Sequence, residues 1–137
     1  MTGILIVTHA GLGTALIDTI EFILGKPQDN LLSISIDINQ DPDNLRKKIK
    51  KGIKEVHSDK GVIILTDMFG GTPSNLSYSF LEEGEVEVIS GVNLPILMKA
   101  VTSREKMDMD KLTSALVEHG KRSISLASDI LKGTKRS

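Results

Sequence analysis

The sequence predicts an α/β domain, a doubly wound and mainly parallel sheet with helices on both faces. Three observations carry this. The runs Gly3–Thr8 (GILIVT), Leu31–Ile36 (LLSISI) and Gly61–Thr66 (GVIILT) are apolar, rich in β-branched residues and too short for helices. Segments with helical period lie between them. The connections are short, as in sheets whose parallel strands are joined by crossover helices. A chain of 137 residues suits one domain, which buries roughly two thirds of its unfolded surface and needs no metal or disulfide for stability.

The elements follow in order. After the first strand, Leu12, Leu16, Ile20, Ile23 and Leu24 share one helical face, and Gly25 with Pro27 ends that helix. After the second strand, Asp41 and Pro42 form an N-cap and first-turn pair, followed by the stripe Leu45, Ile49, Ile53 and Val56. After the third, Thr72-Pro73 opens a helix expected to run to about Glu83. Glu85–Ser90 (EVEVIS) alternates polar and apolar residues, the pattern of an edge strand. One helix begins near Asn93–Pro95, and a longer one near Asp108, with Leu112, Leu116 and later Ile130. The stretch SISLAS, residues 123–128, alternates like a strand inside a helical context, and both readings stay open. The GTKRS end is expected to fray. Strand order 2-1-3-4 is the common solution for so short a domain.

Composition removes several classes of function. With no cysteine there is no disulfide framework and no thiolate chemistry. A net charge of -1 does not favour a polyanion-binding surface, and 3% aromatic residues leave few platforms for stacking bases. MTGILIVTHAG lacks the basic start and long apolar run of a signal peptide. No window approaches the ~20 apolar residues of a membrane span. A soluble, cytoplasmic protein is expected.

In sheets of this kind, chemistry gathers beyond the carboxyl ends of neighbouring strands where the order reverses. Strands 1 and 3 are those neighbours. One ends in Thr8-His9 before AGLG, the other in Thr66-Asp67 before MFGGTPSN. A carboxylate that accepts from one ring nitrogen fixes the tautomer and turns the other nitrogen's lone pair outward. Gly11 and Gly13 flank one helix start, and Gly70 and Gly71 lead into Thr72-Pro73. Glycines allow close backbone approach, and helix starts offer unpaired N–H groups, so both corners suit a phosphoryl group. The Thr72 hydroxyl either caps its helix or donates to a phosphate oxygen. There is no Walker lysine and no magnesium carboxylate pair, so the phosphate need not come from a nucleotide.

Other polar residues have plainer readings. Thr8 and Thr66 are structural. His57 and His119 sit in helical, charged surroundings and are surface or packing residues. Lys47, Lys48, Lys50, Lys51 and Lys54 form a solvated helix face. Met68 and Phe69 either meet a partner protein or pack inward.

Competing classes each lack a part. A dinucleotide site needs a third glycine, although Asp37 stands where its acidic residue would. A receiver module needs an acidic pair after strand 1. A Thr72 nucleophile lacks a G-x-S-x-G elbow. His9 and Asp67 alone are too few ligands for a metal.

ILIVTHAGLG, VIILTDMFGGTPSN and ISGVNLPILMKA together resemble the IIA domain of the mannose/fructose/sorbose family of the bacterial phosphoenolpyruvate-dependent sugar phosphotransferase system (PTS). The resemblance covers nearly the whole chain, 1–137, as a single free-standing IIA domain. It implies that His9 is phosphorylated on Nε2 by the phosphocarrier HPr and passes the group to a IIB component. Asp67 would hold the ring through Nδ1, and Gly70, Gly71 and Thr72 would surround the phosphoryl group. No cofactor or metal is implied. The membrane is met only indirectly, through IIC and IID components. The family is dimeric, with an antiparallel strand exchanged between subunits, for which SISLAS is a candidate. The phosphotransfer subunit of dihydroxyacetone kinases is a similar domain and the alternative assignment. The family usually has glycine after the histidine, where this chain has Ala10, and an acidic helix start where this chain has Gly13-Thr14.

Overall fold

The computed structural model describes residues 1–133. Four strands, β1 (Gly3–His9), β2 (Leu31–Ile36), β3 (Val62–Thr66) and β4 (Val86–Ser90), form one parallel sheet in the order β2-β1-β3-β4. Six helices accompany them: α1 (Leu12–Leu24), α2 (Pro42–Val56), α3 (Thr72–Tyr78), α4 (Leu94–Ser103), α5 (Met109–Arg122) and α6 (Ala127–Leu131). The predicted class and strand order are both found.

Strand alternation divides the core in two. Ile4 and Ile6 of β1 face one side with Ile63 and Leu65 of β3, packed with Ile20 of α1, Leu97 of α4 and Leu112 and Leu116 of α5. Leu5, Val7, Val62 and Ile64 face the other side with Leu45, Ile49 and Val56 of α2 and Leu76 of α3. β3 is buried throughout and β1 as far as Thr8, which is why they read as unbroken apolar runs. Each such Leu or Ile side chain contributes about 1.5–3 kcal/mol on burial.

Several expectations are corrected. β2 is an edge strand like β4 and only half-buried, although it reads as a buried one. β3 and β4 each start one residue later than expected, because Gly61 turns at φ 83° and Glu85 closes a turn. Leu12 and Ile23 lie exposed on α1, while Ile17 packs with Leu16 and Leu24 against the core. Asp41 stands at the N-cap of α2 but its side chain caps nothing. α3 stops at Tyr78, five residues before Glu83. The Ser77 and Ser79 hydroxyls donate to the carbonyls of Pro73 and Leu76, and the main chain leaves the helix through Leu81 N–H to Tyr78 carbonyl.

SISLAS forms no strand in the single chain. Residues 123–126 leave α5 irregularly, α6 begins at Ala127, and Ile130 belongs to this short exposed helix and not to α5. Alternation alone supplies no neighbouring strand to pair with. Of the GTKRS end only Gly133 is described, and the expected fraying falls on residues outside the described range. No helix among the described residues is long and apolar enough to cross a membrane.

Candidate functional site

Val7 pairs with Thr66 across β1 and β3, so the two strands release His9 and Asp67 side by side at their carboxyl ends. The Nδ1 of His9 lies 2.7 Å from Oδ2 of Asp67, and the same oxygen accepts the His9 main-chain N–H at 2.9 Å. Oδ1 accepts the Met68 N–H at 3.0 Å. A carboxylate only accepts, so Nδ1 carries the proton and Nε2 presents its lone pair. The histidine side chain is 40% exposed and the aspartate 11%. Base and orienter are therefore unequal, one open to a partner and the other shielded.

Burial pushes the Asp67 carboxyl upward. The main-chain N–H of His9, its ring hydrogen bond and charge, and the Met68 N–H outweigh this and hold it below the usual carboxylate range.

The corners around the pair are built tightly. Ala10 follows the histidine at φ 47°, a left-handed turn, and its carbonyl accepts from Ser35 Oγ of β2 at 2.6 Å. Thr8 is fully buried and its hydroxyl accepts the Gly13 N–H at 2.9 Å, tying the start of α1 to β1. On the other side, Gly70 turns at φ 85°. Gly71, not Thr72, occupies the N-cap of α3, with no side-chain cap. Thr72 is the first helical residue, so the expected capping role is not found. Gly71 backs directly onto the imidazole: a β-carbon there would meet Cε1 of His9 at 3.1 Å.

Met68 and Phe69 are 55% and 79% exposed, and the Phe69 ring leans on Tyr78 with centroids 6.4 Å apart. Of the two readings open for this pair, exposure beside the site is found. The lysines of α2 are all exposed. His57 lies at the surface 3.6 Å from Glu85, and His119 is half-buried on α5. Among the described residues no group of three or more His, Cys, Asp or Glu side chains is arranged to hold a metal ion.

Two features escape sequence reading. Thr66, Ser74, Ser90 and Tyr78 join hydroxyls beneath the Asp67 loop. Arg104, only 2% exposed, donates to the carbonyls of Thr2, Asn30 and Asp29 at the opposite end of the sheet.

Fold and site together define a compact α/β domain that presents an oriented imidazole at the switch point of a parallel sheet. The family model described as PTS system fructose IIA component matches residues 3–117, and the chain belongs to that family. It is 29% identical over 136 residues to the PTS system fructose-specific EIIA component of Bacillus subtilis, covering 98% of this chain and 92% of that protein. It is 31% identical over 123 residues to the PTS system mannose-specific EIIAB component of Escherichia coli, covering 88% of this chain but 38% of that longer protein. Among solved structures, the EIIA component from Streptococcus agalactiae superposes with a TM-score of 0.83 at 27% identity, covering 93% of this chain and 98% of that one. The PTS IIA protein associated with the fucose utilization operon of Streptococcus pneumoniae gives 0.82 at 25% identity, covering 95% and 96%.

Proposed function

We propose that the chain is a phosphocarrier of the sugar phosphotransferase system, taking a phosphoryl group from phospho-HPr on His9 and passing it to a IIB component. The observation that carries this reading is the 2.7 Å bond between His9 Nδ1 and Asp67 Oδ2, which leaves Nε2 as the free nucleophile. The neutral ring attacks the donor's phosphorus in line. The new bond joins Nε2 to phosphorus as the donor's nitrogen–phosphorus bond breaks, and the donor imidazole departs with that electron pair. Both nitrogens of His9 are then substituted and the ring is cationic, a charge that Asp67 stabilises. The main-chain N–H groups of Gly70 and Gly71 and the Thr72 hydroxyl receive the equatorial oxygens. Transfer to IIB is the reverse reaction with a different partner.

Relatives named for fructose, mannose and sorbose systems favour sugar uptake over the dihydroxyacetone kinase alternative. The proposed setting is the cytoplasm, with IIC and IID components as the only link to the membrane. A homodimer is proposed as well: among the described residues β4 is the last strand of the sheet, with only the isolated Glu82–Val86 bridge beyond it, and Val117 and Leu126 are exposed.

Incubation with phosphoenolpyruvate, enzyme I and HPr tests the relay. Acid-labile, base-stable label on His9 is expected, together with onward transfer to a IIB protein. His9→Ala should take none, and label on that variant would overturn the assignment. Asp67→Ala should slow transfer by about 10²–10⁴-fold without abolishing it.

A further inference from the structure

The hydroxyl cluster beneath Asp67 is not used by the transfer step itself. Ser74 and Thr66 are fully buried, and Ser90 and Tyr78 half-buried. The Ser74 hydroxyl donates to the main-chain carbonyl of Met68. Its oxygen lies 2.6 Å from Thr66 Oγ1 and 2.9 Å from Ser90 Oγ. Ser90 also accepts from Thr66 at 2.9 Å, and its oxygen lies 3.0 Å from the Tyr78 hydroxyl. Four hydroxyls carry four protons: Tyr78 donates to Ser90, Ser90 to Ser74, Ser74 to Met68, and Thr66 to Ser74, with Ser90 as the second acceptor of the Thr66 proton.

Thr66 and Met68 are the two neighbours of Asp67 in the chain. One serine thus holds both sides of the residue that orients His9. Thr66 is also held by its sheet pairing and by the Gly91 and Val92 N–H groups on its carbonyl, so it is the Met68 side of the loop that depends most on Ser74. Met68 and Phe69 are exposed, Phe69 touching only the Tyr78 ring among the ring contacts of the described residues, and Gly70 has an open, left-handed turn with nothing within 4 Å of a β-carbon. Position here depends on polar ties, and a buried network that is fully satisfied is a rigid one.

We propose that Ser74 is a positioning residue: the Tyr78–Ser90–Ser74 hydroxyl chain fixes Thr66 and Met68, and so sets the Asp67 carboxylate against His9 Nδ1. This rests on the reading of His9 as the phosphoryl acceptor. Ser74 touches neither phosphate nor imidazole and acts only through Asp67.

Ser74→Ala, Tyr78→Phe, Asp67→Asn and the Ser74→Ala/Asp67→Asn double variant test this with phospho-HPr as donor, each assayed well below its melting temperature. Ser74→Ala should lower kcat by about tenfold with KM for phospho-HPr unchanged, and Tyr78→Phe by about two- to threefold. The double variant should be no slower than Asp67→Asn alone. In nitrogen NMR of the histidine rings, the Nδ1–H tautomer of His9 should dominate in the wild-type protein and lose that dominance in Ser74→Ala. Wild-type kcat in folded Ser74→Ala would overturn the proposal, as would a further tenfold loss in the double variant. If Ser74→Ala does not fold, unchanged kcat and tautomer in Tyr78→Phe overturn it. A wild-type protein that takes no label defeats the acceptor reading, whereas the tautomer measurement decides the positioning role without any transfer.

Discussion

Gly71 and His9 are in backbone-to-ring contact: a β-carbon on the glycine would lie 3.1 Å from Cε1 of the imidazole and 3.4 Å from Cγ of Met68. The glycine's own φ of −86° is open to any residue, so the requirement comes from the ring and not from the backbone. The imidazole is held between Asp67 on its Nδ1 side and this bare backbone on its Cε1 side.

Gly71→Ala should therefore fold nearly as well as the parent while displacing the ring by a few tenths of an ångström. The expected loss in single-turnover transfer from phospho-HPr is roughly three- to tenfold, since small misplacements of a reacting group are costly. Gly70→Ala should behave in the opposite way. There is open space for its methyl group, but φ is 85°. It should lower stability by about 1 kcal/mol in urea titration. Equal effects of the two variants on melting temperature would contradict this division.

Asp67 makes stability depend on acid in a predictable direction. Its folded-state pKa lies below the ordinary carboxylate value, so the unfolded chain binds more protons in the interval between the two. The contribution is fully present above about pH 4, the unfolded value, and is lost as pH falls through the folded one. Asp67→Asn should remove that part of the slope. Urea midpoints of both proteins between pH 5 and pH 2.5 should converge on acidification, and parallel curves would argue against it.

Ala10 occupies a left-handed turn at φ 47° directly after His9. A side chain there carries a steric cost of about 1–2 kcal/mol, which glycine avoids, though glycine loses more entropy on folding. Ala10→Gly should stabilise the protein by about 0.5–1 kcal/mol. The Ser35 hydroxyl bond to the residue-10 carbonyl would remain. A lower chemical-denaturation midpoint in the glycine variant would show that the turn is not strained.

How much of this was legible depends on the range of the signal. The β1 and β3 runs and their terminal His9 and Asp67 are local patterns, and parallel pairing turns them into one site. Thr72 misled because a hydroxyl before proline reads as a cap, while Gly71 takes that position. Ser74 and Ser90 are 16 residues apart and look like solvated serines, since nothing local says that both turn inward. SISLAS is a different case: a period of two is written there, residues 123–126 are irregular in the single chain, and a strand exchanged between subunits would find its neighbour only in a second copy.

Arg104 is the clearest residue that no local pattern marks. It stands in the charged run SREKMDMD, yet it is 2% exposed. Burial pulls its pKa down, partly offset by the charges of Glu105 and Asp29. From the end of α4 its Nη1 donates to the Asn30 carbonyl at 3.0 Å and the Thr2 carbonyl at 3.4 Å, and its Nη2 donates to the Asp29 carbonyl. One guanidinium thus joins the entry of β1 and the loop before β2 to α4. Its Nε and the Thr2 hydroxyl are buried without a partner in the described structure, so the site already tolerates some unmet polarity. Arg104→Met keeps the stem and removes every donor, leaving three carbonyls short of a bond. A loss of about 2–4 kcal/mol is expected in urea titration. Arg104→Lys should cost less, about 1–2 kcal/mol, because a single ammonium cannot reproduce the planar fork. These carbonyls lie about 20 Å from His9, at the far end of a seven-residue strand. Folded Arg104→Lys should therefore transfer phosphate at the parental rate. A transfer defect without a stability defect would mean that the two ends of the sheet are coupled.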